Sequence, residues 1–189
     1  STPGVPGVVW LFDPAVFVDD DGTGYLYFGG GVPQGQDANP KTARVVKLGD
    51  DMISLASDAV MIDAPCIFED SGINKIGDKY YYSYCSNWSV PQSSKDELGL
   101  NTAQICYMTS DSPMGPFEYQ GVVFPNPGDF FGNHYNNHHC LFEFNGKWYL
   151  TYHAQTLESA MGIHKLYRSV HVDELTINED GSIKKVIGT

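Results

Sequence analysis

Three polar side chains capable of acid–base chemistry recur at nearly the same distance from a glycine turn. Asp13 stands nine residues before the glycine of DDDG, and Glu69 and His138 stand eight residues before the glycines of IGD and FNG. Two carboxyl groups and an imidazole in one pocket are typical of an acid–base site. Taken singly, an Asp or Glu in such a place most often only caps a turn. The shared phase of all three predicts that they serve one site.

The segments that carry these residues have the same layout. Residues 13–28 (DPAVFVDDDGTGYLYF), 69–84 (EDSGINKIGDKYYYSY) and 138–152 (HHCLFEFNGKWYLTY) each contain a partly apolar run, a glycine turn and a strand rich in aromatic residues. This pattern is typical of a β-hairpin. Further strands are indicated at 43–50, 103–111 and 117–124, and no long helix is indicated.

The spacing of the hairpins predicts an all-β fold made of propeller blades. The segments begin 56 and 69 residues apart, which leaves room for a four-stranded antiparallel sheet and its loops in each repeat. In a β-propeller the first strand of every blade lines the central channel. We therefore expect three four-stranded sheets around one axis, with Asp13, Glu69 and His138 opening into one cavity.

Composition limits the partners. The 189 residues carry 11 Lys and Arg against 23 Asp and Glu, a net charge of −12, which argues against nucleic acid and anionic membranes. No apolar run approaches the length of a membrane span. One domain over residues 1–189 is expected, since 42% of the residues are hydrophobic.

The four cysteines lack zinc-like spacing and are expected to be free thiols buried in strands. NWS at Asn87 is a glycosylation sequon that often arises by chance.

Four motifs in order resemble glycoside hydrolase family 43. They are WLFDPAVFVDDDGTGYLYFGGG, FEDSGINKIGDKYYYSYCSNW, NNHHCLFEFNGKWYLTYHAQTL and YRSVHVDELTINEDGSI, and together they cover almost the whole chain. The resemblance implies a five-bladed β-propeller, of which this chain covers about the last three blades. It also implies removal of arabinofuranose or xylose from plant hemicellulose by a secreted or cell-surface enzyme of bacteria or fungi. The likeness is greatest to arabinoxylan arabinofuranohydrolases, with β-xylosidases as the related type.

The family inverts the anomeric centre with three carboxylates, and the resemblance assigns two of them here. Glu69 in FEDSG corresponds to the general acid, and Asp13 in WLFDP corresponds to the residue that modulates the acid's pKa. A neighbouring carboxylate in a partly dry channel raises the pKa of an acid by like-charge repulsion, which suits a group that must hold its proton near neutral pH.

The resemblance also assigns binding residues. Trp10 is expected to stack on the sugar, Arg168 in YRS to hold sugar hydroxyls, and Asn137 to assist in the same task. His138 corresponds to a channel histidine that ligates calcium directly or through water in many members, and His139 is the alternative by register. Because an imidazole is an unusual ligand for so hard a cation, water is expected to complete the shell.

The general base of the family has no counterpart in these residues. It normally lies on the first blade in a DP segment of its own, whereas the only DP here begins at Asp13. We therefore expect the 189 residues alone to be inactive. They should pair with an N-terminal part of the same propeller or with another copy. If a base does lie in this chain, Asp63 and Asp129 are the first candidates.

Other interpretations carry less support. DDDGTG lacks the spacing of an EF-hand loop, and GGGVPQG lacks the GK[ST] of a phosphate-binding loop. A propeller that binds carbohydrate without cleaving it is the main alternative, followed by a structural scaffold. A binding module has no need for an acid in phase with Asp13, which favours the enzyme.

Overall fold

The computed structural model describes residues 5–189 and consists of antiparallel β-sheets with three short helices. The first sheet contains β1 Ala15–Val18, β2 Gly24–Phe28, β3 Ala43–Lys47 and β4 Val60–Ile62, paired in chain order. The second contains β5 Ile67–Ile76, β6 Lys79–Ser86, β7 Ile105–Ser110 and β8 Glu118–Phe124, also in chain order. The third contains β9 His139–Phe144, β10 Lys147–Ala154 and β11 Ser169–Leu175, with β10 in the middle. The helices are α1 Gln92–Leu98, α2 Gly128–Phe131 and α3 Thr156–Met161.

The three expected hairpins are present as β1–β2, β5–β6 and β9–β10. In the first, Asp19 and Thr23 close the turn, because the Asp19 N–H donates to the Thr23 carbonyl at 2.9 Å. Gly22 lies in this turn with a φ of 83°, a conformation that favours glycine. The aromatic strand that follows each turn becomes the second strand of its sheet. The all-β prediction is confirmed.

The expectation of four strands in every sheet is wrong for the third. After β11, residues 176–183 fold into a tight turn in which the Asn178 N–H donates to the Ser182 carbonyl at 2.8 Å. The chain then reaches the second sheet, where the Val186 N–H donates to the Val123 carbonyl of β8 at 2.8 Å. The terminal segment thus pairs with the second sheet and does not extend the third.

Aromatic side chains fill the space between the sheets. Tyr27 of the first sheet stacks on Tyr82 of the second with ring centroids 6.0 Å apart. Phe124 of the second sheet packs on Tyr152 of the third at 4.3 Å. Each fully buried large side chain contributes about 1.5–3 kcal/mol. These contacts fix the first strands β1, β5 and β9 side by side.

Burial corrects the expectation for one cysteine and shows how the sequon is packed. Cys66, Cys85 and Cys106 are buried free thiols, but Cys140 is exposed because its side of β9 faces away from the core. Asn87 of the sequon is only 1% exposed. Its amide nitrogen donates to the Asp37 carbonyl and its oxygen accepts from the Ser89 N–H. The sequon is therefore inaccessible. In residues 5–189 no helix is both long enough and apolar enough to cross a bilayer.

Candidate active site

One acid–base residue from each sheet region converges on a single point. Asp13 precedes β1, Glu69 lies in β5 and His138 immediately precedes β9. One side-chain atom from each of the three lies within 4.8 Å of the other two. His138 Nε2 lies 2.9 Å from Glu69 Oε1. The predicted convergence is therefore confirmed.

An irregularity in β5 directs Glu69 into this cluster. The pairing of β5 with β6 shifts register between Ile67 and Glu69 and again between Glu69 and Gly72. Asp70 lies in this bulge with a φ of 67°, in the left-handed region. Successive side chains of a regular strand point to opposite faces. The bulge instead lets Glu69 and Asp70 both face the cluster, as bulges beside active sites often do.

Glu69 is held through one of its two carboxyl oxygens. Its Oε1 contacts His138 Nε2 and also accepts a hydrogen bond from Asn136 Nδ2 at 3.2 Å. The residue is 6% exposed. Because both hydrogen-bond contacts of Glu69 within residues 5–189 go to Oε1, Oε2 is the oxygen left for a proton and a substrate. Asn136 was missed by the sequence analysis, which had chosen its neighbour in the NNHH run.

Asp70 organises the segment that carries the histidines. Its Oδ2 accepts from the His139 backbone N–H at 2.9 Å and lies 2.5 Å from His139 Nδ1. His139 Nε2 lies 2.6 Å from Ser83 Oγ. The His139 side chain is fully buried with both ring nitrogens engaged. This arrangement contradicts the alternative in which His139 is the calcium ligand.

The electrostatics of the cluster reflect its burial. Burial raises the pKa of Asp13, an effect only partly offset by the nearby His138. The hydrogen bond with Glu69 raises the pKa of His138 in spite of burial. His153, whose ring centroid is 5.7 Å from that of His138, has its pKa lowered to about 4 by burial, by Arg168 and by His138. A neutral imidazole at 153 is therefore favoured near pH 6.

The predicted sugar-binding residues separate into two groups. Trp10 is 46% exposed, and its ring packs edge-on against Phe68, the residue before Glu69, with centroids 5.6 Å apart. Arg168 is exposed and close enough to His153 to lower its pKa. Trp10 thus packs against the chain neighbour of Glu69, and Arg168 lies near His153.

Asn137 lies elsewhere. It is fully buried, and its Nδ2 donates to the Ala103 and Pro125 carbonyls at 3.0 and 3.1 Å. This burial contradicts the prediction that Asn137 binds sugar, and assigns it to holding the loops together. The sequence could not show which asparagine faces the site, because Asn136 and Asn137 have the same side chain.

The two carboxylates named as fallback bases are paired away from Glu69. Asp63 lies 3.9 Å from Lys41 with more than half of its side chain exposed, and Asp129 lies 2.8 Å from His134. Neither belongs to the convergent cluster.

A cavity of about 390 Å³ adjoins the cluster. Asp13, Asp70 and His138 contribute to its wall, together with the first residues of β1 and β9. Glu69 is not among the lining residues, so the expectation that all three side chains open into one cavity is confirmed for Asp13 and His138 only. The volume lies within the usual range for small-molecule sites. An acid–base cluster beside a cavity between β-sheets has the character of a hydrolase site.

Comparison with solved structures places the fold among glycoside hydrolases. The chain superimposes on a family 43 arabinoxylan arabinofuranohydrolase from Bacillus subtilis, solved with cellotetraose, with a TM-score of 0.92 and 57% identity. The superposition covers 100% of this chain and 39% of the Bacillus subtilis chain. A β-xylosidase/α-arabinofuranosidase from a compost metagenome, solved with xylotriose in a calcium-free form, matches with a TM-score of 0.70 and 32% identity over 98% of this chain and 60% of that one.

Sequence comparison gives the family. The profile of glycosyl hydrolases family 43 matches residues 2–183. The arabinoxylan arabinofuranohydrolase of Bacillus subtilis (strain 168) is 58% identical over 193 residues, 98% of this chain and 37% of the relative. The chain therefore belongs to glycosyl hydrolases family 43, and it spans less than two fifths of the length of this relative.

Proposed function

We propose that these residues form the acid side of the active site in an inverting glycoside hydrolase that releases arabinofuranose from arabinoxylan. The observation that carries the proposal is the meeting of Asp13, Glu69 and His138 from three separate sheet regions. The relative that is 58% identical is an arabinoxylan arabinofuranohydrolase, which supports the choice of substrate. The chain is one part of a five-bladed propeller, about its last three blades, in a protein exported to reach plant polysaccharide.

Glu69 is the general acid. Its proton, carried on Oε2, passes to the glycosidic oxygen as the bond from that oxygen to the anomeric carbon breaks. Water attacks the same carbon from the opposite face and loses its proton to a second carboxylate. The bonds of Oε1 to Asn136 and His138 support this orientation, because they fix the plane of the carboxyl group.

Asp13 is a companion of the acid and not the base. An inverting pair is separated by roughly 6.5–9.5 Å so that water fits between the carboxyl groups. Asp13 and Glu69 approach within 4.8 Å. This spacing supports the modulating role that the family resemblance gives to Asp13. The base then belongs to another part of the protein, and the 189 residues assayed alone are expected to show no hydrolysis.

Trp10 and Arg168 bind the substrate beside the acid. The indole of Trp10 offers an exposed apolar face to a sugar ring, and the guanidinium of Arg168 offers several donors to hydroxyl groups. The packing of Trp10 on Phe68 and the proximity of Arg168 to His153 support these roles.

Calcium at His138 remains a prediction from the family resemblance. Ca²⁺ takes about six to eight oxygen ligands. The side-chain oxygens grouped with His138 are those of Asp13 and Glu69, and the imidazole Nε2 is already bonded to Glu69. The described donors alone fit the ion poorly, so no step passes through it. Binding at His138 predicts that calcium raises the melting temperature of the wild type but not of His138→Ala.

The test is Glu69→Gln in an active protein that contains all 189 residues. General acid catalysis contributes roughly 10²–10⁴-fold, so arabinose release from arabinoxylan should fall by that factor. A nitrophenyl arabinofuranoside should lose far less, because nitrophenolate leaves without protonation. NMR of the first-formed sugar should show inversion. Near-normal release from the polymer by Glu69→Gln would refute the role of Glu69 as general acid. Binding of arabinoxylan by the wild type without release of arabinose would instead favour the alternative of a carbohydrate-binding propeller.

A further inference from the structure

We propose that Asp70 is a positioning residue, which locks the segments carrying Asp13 and His138 around the acid. The proposal rests on the function proposed for Glu69. Asp70 acts through the groups that it holds, because its hydrogen bonds go to Asp13 and His139.

The contacts of Asp70 reach all three sheet regions. Its backbone N–H donates to Asp13 Oδ2 at 3.1 Å. Its carboxylate accepts from the His139 backbone N–H and lies 2.5 Å from His139 Nδ1. Its second oxygen lies 3.7 Å from His138 Nδ1. One residue of β5 thus fixes both the strand that follows Asp13 and the start of β9.

The backbone of Asp70 is held in a conformation that is uncommon for residues other than glycine, although Asp and Asn adopt it more readily than most. Its φ of 67° lies in the left-handed region, within the bulge of β5. Such conformations persist where surrounding contacts over-determine them, and they cluster at functional sites. Here the conformation turns the N–H toward Asp13 while the carboxylate faces the histidines. A regular strand would not present both groups to the cluster.

The order Asp70, His139, Ser83 matches the chemical order of a serine-hydrolase triad, but accessibility argues for another role. Ser83 is fully buried, and the His139 side chain is also fully buried. No substrate carbon can reach Ser83 Oγ. The chain of hydrogen bonds instead anchors the carboxylate of Asp70 to the interior of β6, so that its position is rigid.

The consequence for the acid follows from its contacts. His138 lies between Asp70 and Glu69, with Nε2 bonded to Glu69 Oε1. If the carboxylate of Asp70 is removed, the start of β9 loses two hydrogen bonds and His138 is free to turn away from Oε1. Proton transfer requires hydrogen-bond reach, and a displacement of about 1 Å costs about 10²-fold in rate.

The experiment compares Asp70→Asn with Glu69→Gln in an active protein that contains these residues. Asparagine tolerates the left-handed conformation and keeps the volume but removes the charge. We expect kcat on arabinoxylan to fall about 10–100-fold with KM changed less than about threefold. The loss on a nitrophenyl arabinofuranoside should be much smaller, because only the polymer depends on the acid. A merely destabilised protein loses both activities in equal proportion.

Asp19→Asn is the matched control. Asp19 is also a largely buried carboxylate, but it contacts a lysine where Asp70 contacts a histidine. It accepts a hydrogen bond from Lys75 Nζ at 2.7 Å. This substitution should lower the melting temperature without changing the ratio of the two activities. All variants are assayed well below their melting temperatures.

A second variant and a second measurement distinguish the loss of positioning from misfolding. Asp70→Gly accepts the backbone conformation freely and lacks the carboxylate, so it should show the same selective loss. In ¹⁵N-histidine NMR spectra of the 189-residue chain, the His138 and His139 ring resonances should shift in both variants and not in Asp19→Asn.

The outcomes separate the two proposals. If Glu69→Gln leaves polymer hydrolysis intact, the proposed function fails. If Glu69→Gln abolishes it while Asp70→Asn and Asp70→Gly keep normal polymer activity, only the positioning role is overturned. An equal loss on both substrates in the Asp70 variants also overturns it, as does an unchanged NMR spectrum.

Discussion

Gly72 should not tolerate a methyl group, because of the buried chain of hydrogen bonds behind the site. A Cβ at this position would lie 2.5 Å from Ser83 Oγ and 3.1 Å from His139 Nε2. Ordinary carbon contacts begin near 3.5 Å. Rotation of Ser83 away from the methyl group would break its 2.6 Å hydrogen bond with His139. Gly72→Ala therefore forces either a clash or an unpartnered buried nitrogen.

Both responses carry a known range of free energy. Overpacking costs about 1–3 kcal/mol, and an unsatisfied buried polar group costs about 1–3 kcal/mol. Alanine also reduces the conformational entropy of the unfolded chain, which stabilises the variant by roughly 0.4–1 kcal/mol. We expect Gly72→Ala to lower the free energy of unfolding by about 1.3 kcal/mol. For a chain of this size, that corresponds to a fall of about 3–5 °C in melting temperature.

A double-mutant cycle with Ser83→Ala provides the control. Ser83→Ala alone should cost about 1–3 kcal/mol, because it leaves His139 Nε2 without a partner. The same substitution removes the atom closest to the new methyl group. Gly72→Ala combined with Ser83→Ala should therefore be little less stable than Ser83→Ala alone, and urea denaturation followed by circular dichroism measures this coupling. Additive losses in the double variant, or a Gly72→Ala protein within about 0.5 kcal/mol of the wild type, would refute the reasoning.

Three further predictions concern other parts of the molecule. Hydrogen bonds from Lys75 and a tyrosine hydroxyl lower the pKa of Asp19, although burial alone would raise it. The stability that ionised Asp19 contributes is therefore present above its ordinary pKa of 3.8 and is lost as the pH falls through the lower pKa of the folded protein. In that acid range, the melting temperature of Asp19→Asn should depend less on pH than that of the wild type. Trp10→Ala should raise KM for arabinoxylan about tenfold, equivalent to about 1.4 kcal/mol, with kcat nearly unchanged; a fall in kcat at constant KM contradicts a stacking role. Val16 and Val170 are 61% and 80% exposed on the first and third sheets, so the 189-residue chain should self-associate in sedimentation velocity as its concentration rises, and a monomer at every concentration contradicts this.

The hairpins and the meeting point of the site could be predicted from the sequence, because both depend on repeating patterns. The nearly equal spacing of Asp13, Glu69 and His138 from their turns, nine, eight and eight residues, predicts equivalent positions in successive sheets. Aromatic strands after each turn gave the second strand of each sheet. Such patterns reflect geometry that every repeat shares, so a single chain reveals them.

Features that depend on one residue of register could not be predicted. Asn136 and Asn137 have the same side chain, yet Asn136 contacts Glu69 and Asn137 is buried in the loops. The bulge at Asp70 also escaped notice, because hydrophobic alternation does not record a left-handed residue. The path of residues 176–189 toward the second sheet depends on tertiary packing, which local patterns do not encode.

The dispersal of the site over three sheets has a kinetic consequence. Asp13 and His138 are 125 positions apart, so they meet only after the contacts between separate sheets have formed. Each hairpin closes a short loop, whereas the site requires docking of sheet on sheet, which is slower because the loops to be closed are longer. The appearance of the Glu69–His138 hydrogen bond during refolding therefore marks the end of folding, while secondary structure marks an early stage. For the same reason, a change that loosens one sheet from its neighbour will dismantle the site before it unfolds any hairpin.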